Sequence, residues 1–310
     1  MKTSIQNKKQ KFIINTSFLE KRHWQYIMLF FLALIWGSSF ILMKKGLRSF
    51  SPYQVAAFRI FLTFLFFLPF TFRILHKLNR KNIGFLIIIG FVGNALPAFM
   101  YTIGQTEVNS SLAGILNSLV PLFTMIVGVT IYKTSTGWVN VLGVFSGLTG
   151  AIGLIYYGSE MFMHGNIWYS IFIIVAVLGY AISSNVNKEN LSELNGFAVT
   201  ALSFFLIGPW AGIYLLFSNL EINFTTEGAI LDFTFVAILS FFSSFIAVTL
   251  LYTLMKYTTT IFATSVTYII PVFAIIWGLI DGEQILPAQF IWIFIILLGI
   301  YLVNYKKKKN

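Results

Sequence analysis

Apolar residues in this chain come in runs of about 20, separated by short clusters of charged, glycine, proline and other turn residues. A helix rising about 1.5 Å per residue needs about 20 residues to cross a hydrocarbon core of about 30 Å. The pattern therefore predicts ten transmembrane helices, over 24–43, 52–75, 83–103, 109–132, 137–157, 166–187, 195–217, 229–254, 259–280 and 287–305. The connections between them are no longer than about a dozen residues, which leaves no room for a soluble domain and puts any function inside the bundle. No A-x-A-like cleavage site follows the first run, so it is expected to remain as a transmembrane helix behind a basic tail, 1–23.

The loops predict an orientation. With the N-terminus inside, 17 of the 21 basic residues fall on the cytoplasmic side, including Arg73, Lys77, Arg80 and Lys81 after the second helix and Lys306 to Lys309 at the end. Lys44, Lys45 and Arg48 fall outside, together with acids such as Glu107, Asp232, Asp281 and Glu283. Positive loops stay inside, so both termini are expected in the cytoplasm.

The chain also repeats. Trp36, Ser39 and Lys44 match Tyr180, Ser183 and Lys188 at an offset of 144, and Pro121 and Gly128 match Pro271 and Gly278 at an offset of 150. The domain organisation that follows is a first five-helix half, 24–157, a second, 166–305, and a short basic end, 306–310. Because five is odd, the second half enters the membrane from the opposite side. The expected architecture is a pair of inverted repeats with a substrate site between them near the midplane.

Ser110, Ala113, Gly114, Asn117 and Pro121 lie on one helical stripe, and Thr260, Ala263, Thr264, Thr267 and Pro271 repeat it 150 residues later. Two readings of these stripes stay open: close helix packing through small residues, or the wall of a shared polar cavity in which Pro121 and Pro271 loosen gating helices. Gly143, Gly147 and Gly150 form a glycine face without polar companions and read as packing.

Arg59 is the one arginine well inside an apolar run, roughly 10 Å into the bilayer when counted from Pro52. A charge at a helix centre costs about 2.5–3.5 kcal/mol. Arg59 must therefore snorkel to the headgroups or face water and an anion such as a carboxylate, which a guanidinium grips with two parallel bonds. Its repeat counterpart is Ser203, so the halves are chemically unequal there. Lys44, at the outer end of the first helix, reads first as an interfacial anchor and otherwise as added positive potential at the same mouth. The further candidates for a substrate-binding wall are Trp36, Ser39, Asn94, Tyr101, Asn117, Tyr180, Ser183, Tyr252 and Thr267.

Composition agrees with the helix pattern: of 310 residues, 57% are hydrophobic and 10% charged, and the mean hydropathy is +0.83. A soluble chain carries about 25% charged residues, so this is read as an integral membrane protein. Its net charge of +11 belongs to helix ends and not to a nucleic-acid surface. There is no cysteine, and His23, His76 and His164 are scattered, so no metal or cofactor site is expected. No acid falls in the middle of a predicted helix, which disfavours a carboxylate relay in the membrane core and leaves Glu107 or Asp232, near helix ends, as coupling candidates. H-E-x-x-H and Walker motifs are absent.

WGSSFILMKKGL leading into SPYQVAAFRIFLTFLFFLP, with SSLAGILNSLVPLFTMIVG and its echo YTLMKYTTTIFATSVTYIIPVFAIIWGLIDGE, resembles the drug/metabolite transporter superfamily in its ten-helix EamA-type branch. The resemblance spans about 24–305 and rests residue by residue on Trp36, Gly37, Lys44, Pro52, Arg59, Pro121, Pro271 and Glu283. Lys133 stands where the branch often carries a first-repeat glutamate. The resemblance implies an all-α integral membrane fold and a secondary transporter, often an exporter, of small metabolites such as amino acids. The chain is expected to be a monomer in the cell (inner) membrane, without a cofactor. The alternatives are an intramembrane enzyme or a structural or sensor protein.

Overall fold

Interrupted helices organise this bundle. The structure, a computed structural model, describes residues 17–135, 137–162, 168–220, 224–225, 227–283 and 287–304, so most of the expected tail and the basic C-terminus lie outside the described residues. The helices are α1 (Arg22–Gly46), α2 (Pro52–Ile74), α3 (Ile83–Gly104), α4 (Ser110–Thr130), α5 (Trp138–Phe162), α6 (Tyr169–Asn190), α7 (Gly196–Leu216), α8 (Ala229–Tyr257), α9 (Thr260–Ile280) and α10 (Pro287–Asn304). Eight of them are long and apolar enough to cross a membrane by length and composition, and α5 and α10, with apolar stretches Trp138–Gly150 and Phe290–Gly299, complete the ten. No strand occurs among the described residues.

Local chemistry starts equivalent helices in the same way. Ser51 caps α2 in a capping box with Gln54, and Asn195, 144 residues on, accepts from the Ala198 amide to cap α7. Asn109 accepts from the Leu112 amide at the head of α4, and Thr259, 150 residues on, accepts from the Phe262 amide at the head of α9. Each cap satisfies an amide left without an intrahelical partner.

The interruptions repeat as well. α4 is two segments, Ser110–Asn117 and Val120–Thr130, while α9 is Thr260–Thr264, a 3₁₀ turn over Ser265–Tyr268, and Ile270–Ile280. Pro121 and Pro271 each sit at the head of the second segment, where the missing N–H removes one rung of the ladder. α3 carries a π-helical stretch at Phe91–Ala95 and α8 one at Ser240–Ala247, again 150 residues apart.

Packing follows the same exchange of helix n for helix n + 5. α1 packs on α9 and α6 on α4; α1 packs on α8 and α6 on α3; the pairs α2–α7, α4–α9 and α5–α10 cross between the halves. Close approach is made by glycines. A Cβ on Gly37 of α1 would lie 2.4 Å from the Phe273 Cβ, and one on Gly179 of α6 would lie 2.5 Å from the Val92 carbonyl of α3. The glycine face of α5 packs on α10, where a Cβ on Gly299 would meet the Gly147 amide at 2.4 Å and the Gly143 carbonyl at 2.7 Å. Large apolar side chains such as Phe72, Phe145, Trp210, Leu216 and Ile230 stay exposed on the outside, where lipid covers them.

Gly179→Ala is expected to destabilise the fold by about 1–3 kcal/mol, because the methyl meets backbone and not a flexible side chain. Thermal unfolding in detergent checks this, with Gly84→Ala, where nothing lies within 4 Å, as the control that leaves the melting temperature in place.

Candidate functional site

The interrupted helices meet around one cavity. Its volume is about 80 Å³. At roughly 10–15 Å³ per water this is room for several. The wall is drawn from α1, α2, α3 and α4 of the first half and α6, α7, α8 and α9 of the second.

All ten residues singled out in the sequence line it. Trp36 on α1 donates its indole N–H to the Ser243 carbonyl at 3.2 Å, holding α1 against the π-helical stretch of α8. Ser39 turns its hydroxyl back to the Ile35 carbonyl at 2.8 Å. Asn94 donates to the Ile89 carbonyl at 2.8 Å, five residues back, which satisfies a carbonyl where the α3 ladder changes pitch. Tyr101 donates to Asn117 Oδ1 at 2.7 Å, tying α3 to the α4 break, and its ring stacks on Tyr180 with centroids 6.0 Å apart. Ser183 and Tyr252 share a hydrogen bond of 2.6 Å between α6 and α8. Thr267 donates to the Thr264 carbonyl at 2.9 Å within the α9 break.

Arg59 is 8% exposed. That rules out snorkelling to the headgroups, because the side chain lies along the cavity wall. Nε donates to Ser244 Oγ at 2.9 Å and Nη2 to Ser243 Oγ at 3.4 Å, so the π-helical stretch of α8 orients the guanidinium. Its counterpart Ser203 is off the wall, bonded to the Val199 carbonyl of its own helix at 2.7 Å.

The sequence did not single out Gly93 as a wall residue, nor weight Ser243 and Ser244 above other polar positions. A Cβ on Gly93 would lie 2.1 Å from Ser183 Oγ, so α6 approaches α3 there only because glycine is present. Gly93 and Asn94 match Ser243 and Ser244 at the same offset of 150 as the prolines; that alignment was the available signal.

The stripe residues divide between the two readings. Gly114 faces packing, since a Cβ there would meet the Ala274 Cβ at 2.3 Å, while Asn117, Thr264 and Thr267 face the cavity.

At the end of the bundle where α1 finishes, Lys44 is held in ion pairs. Its Nζ pairs with Asp281 at 2.9 Å and with Glu283 at 3.0 Å, and Lys45 also pairs with Asp281. Glu283 accepts from the amides of Ser110 and Ser111 at 3.0 and 3.1 Å and from the Ser111 hydroxyl at 2.6 Å. One carboxylate thus caps the head of α4 and joins α1 to α9, as a negative charge at a helix N-terminus should. Burial raises the Asp281 pKa, but the bonds from Lys45 and Lys44 outweigh it and hold the carboxyl below its usual 3.8.

The opposite end is built differently. Lys188 donates to the carbonyls of Met255 and Thr258 at 2.6 and 2.7 Å, and no ion pair is found there among the described residues. The equivalent of Glu283 is also not Lys133. Glu283 lies against Gly278, and it is Thr134 that lies against Gly128, because Lys133 takes the left-handed turn position that Gly282 takes in the second half. Of the coupling candidates, Asp232 is buried and accepts from the Ser49 hydroxyl at 2.6 Å, away from the cavity wall, and Glu107 lies past the end of α3.

The EamA-like transporter pattern matches residues 23–156 and again 167–305. The chain belongs to the EamA-like transporter family. It is a multi-pass membrane transporter of the drug/metabolite transporter superfamily, with an all-α fold of two inverted repeats. Among curated relatives, it is 27% identical over 290 residues to "Uncharacterized inner membrane transporter YedA" of Escherichia coli, covering 90% of each chain. It is 28% identical over 286 residues to "Uncharacterized transporter" of Archaeoglobus fulgidus, covering 92% of this chain and 87% of that one. A solved crystal structure shares the fold with a TM-score of 0.64 at 14% identity, over 92% of this chain and 97% of that one.

Glu283→Gln should cost about 1–3 kcal/mol through weakened charge-assisted bonds, read as a lower melting temperature in detergent. Because the Asp281 pKa is lowered in the fold, its contribution is present above the usual 3.8 and is lost as pH falls through the lower folded value. A melting temperature that holds from neutral to mildly acidic pH and drops in stronger acid, with a smaller drop in Asp281→Asn, is the expected profile.

Proposed function

We propose that this EamA-like protein is a secondary transporter that exports small metabolites, such as amino acids or related compounds, by alternating access to the cavity between its halves. It works as a monomer in the cell (inner) membrane with both termini in the cytoplasm, as the basic loops favour, and it needs no cofactor. The wall from Trp36 to Thr267 binds the substrate, and Pro121 and Pro271 are the hinges.

The observation that carries this reading is the cavity itself, enclosed by four helices from each half at the points where α3, α4, α8 and α9 lose regular backbone. Irregular backbone at membrane depth is tolerated where it lines a cavity, and in inverted-repeat transporters that is where substrate sits. The ion pairs of Lys44 close what the loop charges make the outer end, and Lys188 holds the inner end through carbonyls. A rocking cycle breaks one set and remakes the other.

A structural or sensor protein would favour a dry, filled centre, whereas a cavity with a buried arginine argues against it. An intramembrane enzyme would need convergent acid, base or nucleophile groups, and among the described residues of the wall there is no aspartate, glutamate or histidine.

Purified protein in liposomes is expected to move at least one member of an amino-acid and organic-acid panel, and failure across the panel while another EamA-like transporter works would overturn the reading. Arg59→Ala should lower transport of a carboxylate-bearing substrate at least tenfold with membrane insertion unchanged, as measured by initial rates at matched protein levels. The chain has no cysteine, so single cysteines report sidedness: Glu107→Cys should react with an impermeant maleimide on intact cells, and Lys81→Cys should not.

A further inference from the structure

The charges on the cavity wall are lopsided. Among the described residues that line the cavity Arg59 is the single charged one, and none of them is an aspartate or glutamate. Nearby acids are committed elsewhere, Asp232 to Ser49 and Asp281 and Glu283 to the lysine cluster and the α4 head. Among the described residues Arg59 makes no ion pair. Of its five N–H donors, the Nε–H and one on Nη2 go to serine hydroxyls, and the others have no bond to a described residue. A charge held in this way retains a desolvation penalty that an anion relieves, and a carboxylate relieves it best because it matches the planar fork.

Much of the rest of the wall, between polar side chains such as Asn94 and Thr264, fits an apolar body. Trp36, Phe40, Phe204 and the rings of Tyr101, Tyr180 and Tyr252 line it, and two of the tyrosine hydroxyls are already bonded, Tyr101 to Asn117 and Tyr252 to Ser183. An ammonium group in the same small space would meet the like charge of Arg59 at low effective dielectric, with no carboxylate to answer it. A zwitterion therefore gains at one end and loses at the other.

We propose that the cavity is selective for amphipathic monocarboxylates, one carboxylate seated on Arg59 and an apolar or aromatic body among the rings, without a positively charged amine. This rests on the transporter reading for the route the ligand takes, while the binding preference stands on the wall alone. Within the small metabolites of that reading, it places acids that keep the carboxylate and lack the amine ahead of amino acids.

Three probes that share one ring separate the charges: 3-phenylpropionate, L-phenylalanine and 2-phenylethylamine, titrated against the full chain in nanodiscs by calorimetry. The expected order is 3-phenylpropionate at least tenfold tighter than L-phenylalanine, with 2-phenylethylamine not binding. Arg59→Gln should weaken 3-phenylpropionate at least tenfold and Arg59→Lys by less, and the wild-type order decides the matter even where a variant does not fold. L-phenylalanine binding as tightly as 3-phenylpropionate, saturable binding of the amine, or no binding of 3-phenylpropionate at millimolar concentration would each overturn the proposal. Binding in the expected order without movement across liposomes would sink the transporter reading alone, and transport of L-phenylalanine in preference to the acid would sink the proposal alone.

Discussion

In a bilayer the backbone has no solvent to fall back on, so every amide and carbonyl must find its partner within the protein. That constraint decides where this bundle can be irregular. The capped ends of α2, α4, α7 and α9 satisfy their amides with serine, asparagine or threonine side chains. The interruptions at mid-helix fall where two halves meet, and there side chains take over the unsatisfied groups: Asn94 bonds the Ile89 carbonyl, and Trp36 bonds the Ser243 carbonyl. The cavity is thus a consequence of four helices breaking at one depth, and its polarity is set by the residues recruited to satisfy those breaks.

Symmetry supplies the frame and asymmetry supplies the chemistry. Helix pairs exchange under the repeat, and the prolines, caps and π-helical stretches recur at fixed offsets. Lys44 recurs as Lys188, but Arg59 and Glu283 do not recur. Arg59 faces the cavity where Ser203 folds back onto its own helix, and Glu283 reaches a lysine and a helix head where Thr134 reaches neither. A duplicated scaffold carrying single-copy charges distinguishes its two ends without any change of fold.

The helix spans were legible because 20-residue apolar runs are the strongest signal a sequence offers, and the structure moves their ends by only a few residues. The wall was legible through the repeat: Trp36 and Ser39 pointed to Tyr180 and Ser183, and all four line the cavity. The π-helical stretches were not legible, since FVGNA and SFFSSFIA read as ordinary apolar helix and the change of pitch is set by packing against α6 and α2. The ion pairs of Lys44 were not legible for a related reason. A lysine at a helix end looks like an interfacial anchor until Asp281 and Glu283, more than 200 residues away in sequence, are brought beside it. The assignment of Lys133 failed on a single residue, because a left-handed position inserted after α4 shifts the alignment and hands the place of Glu283 to Thr134.

The unequal ends also bear on timing. Two carboxylates gripping Lys44 and Lys45 form a latch, whereas Lys188 on two carbonyls is a simple tether. Latch and tether differ in how readily they let go, and under the proposed alternating-access cycle the molecule would dwell longer on the latched side. The slow step of such a cycle, and so the number of molecules moved per second, would then be governed by a handful of charges at the rim and not by the cavity that holds the cargo.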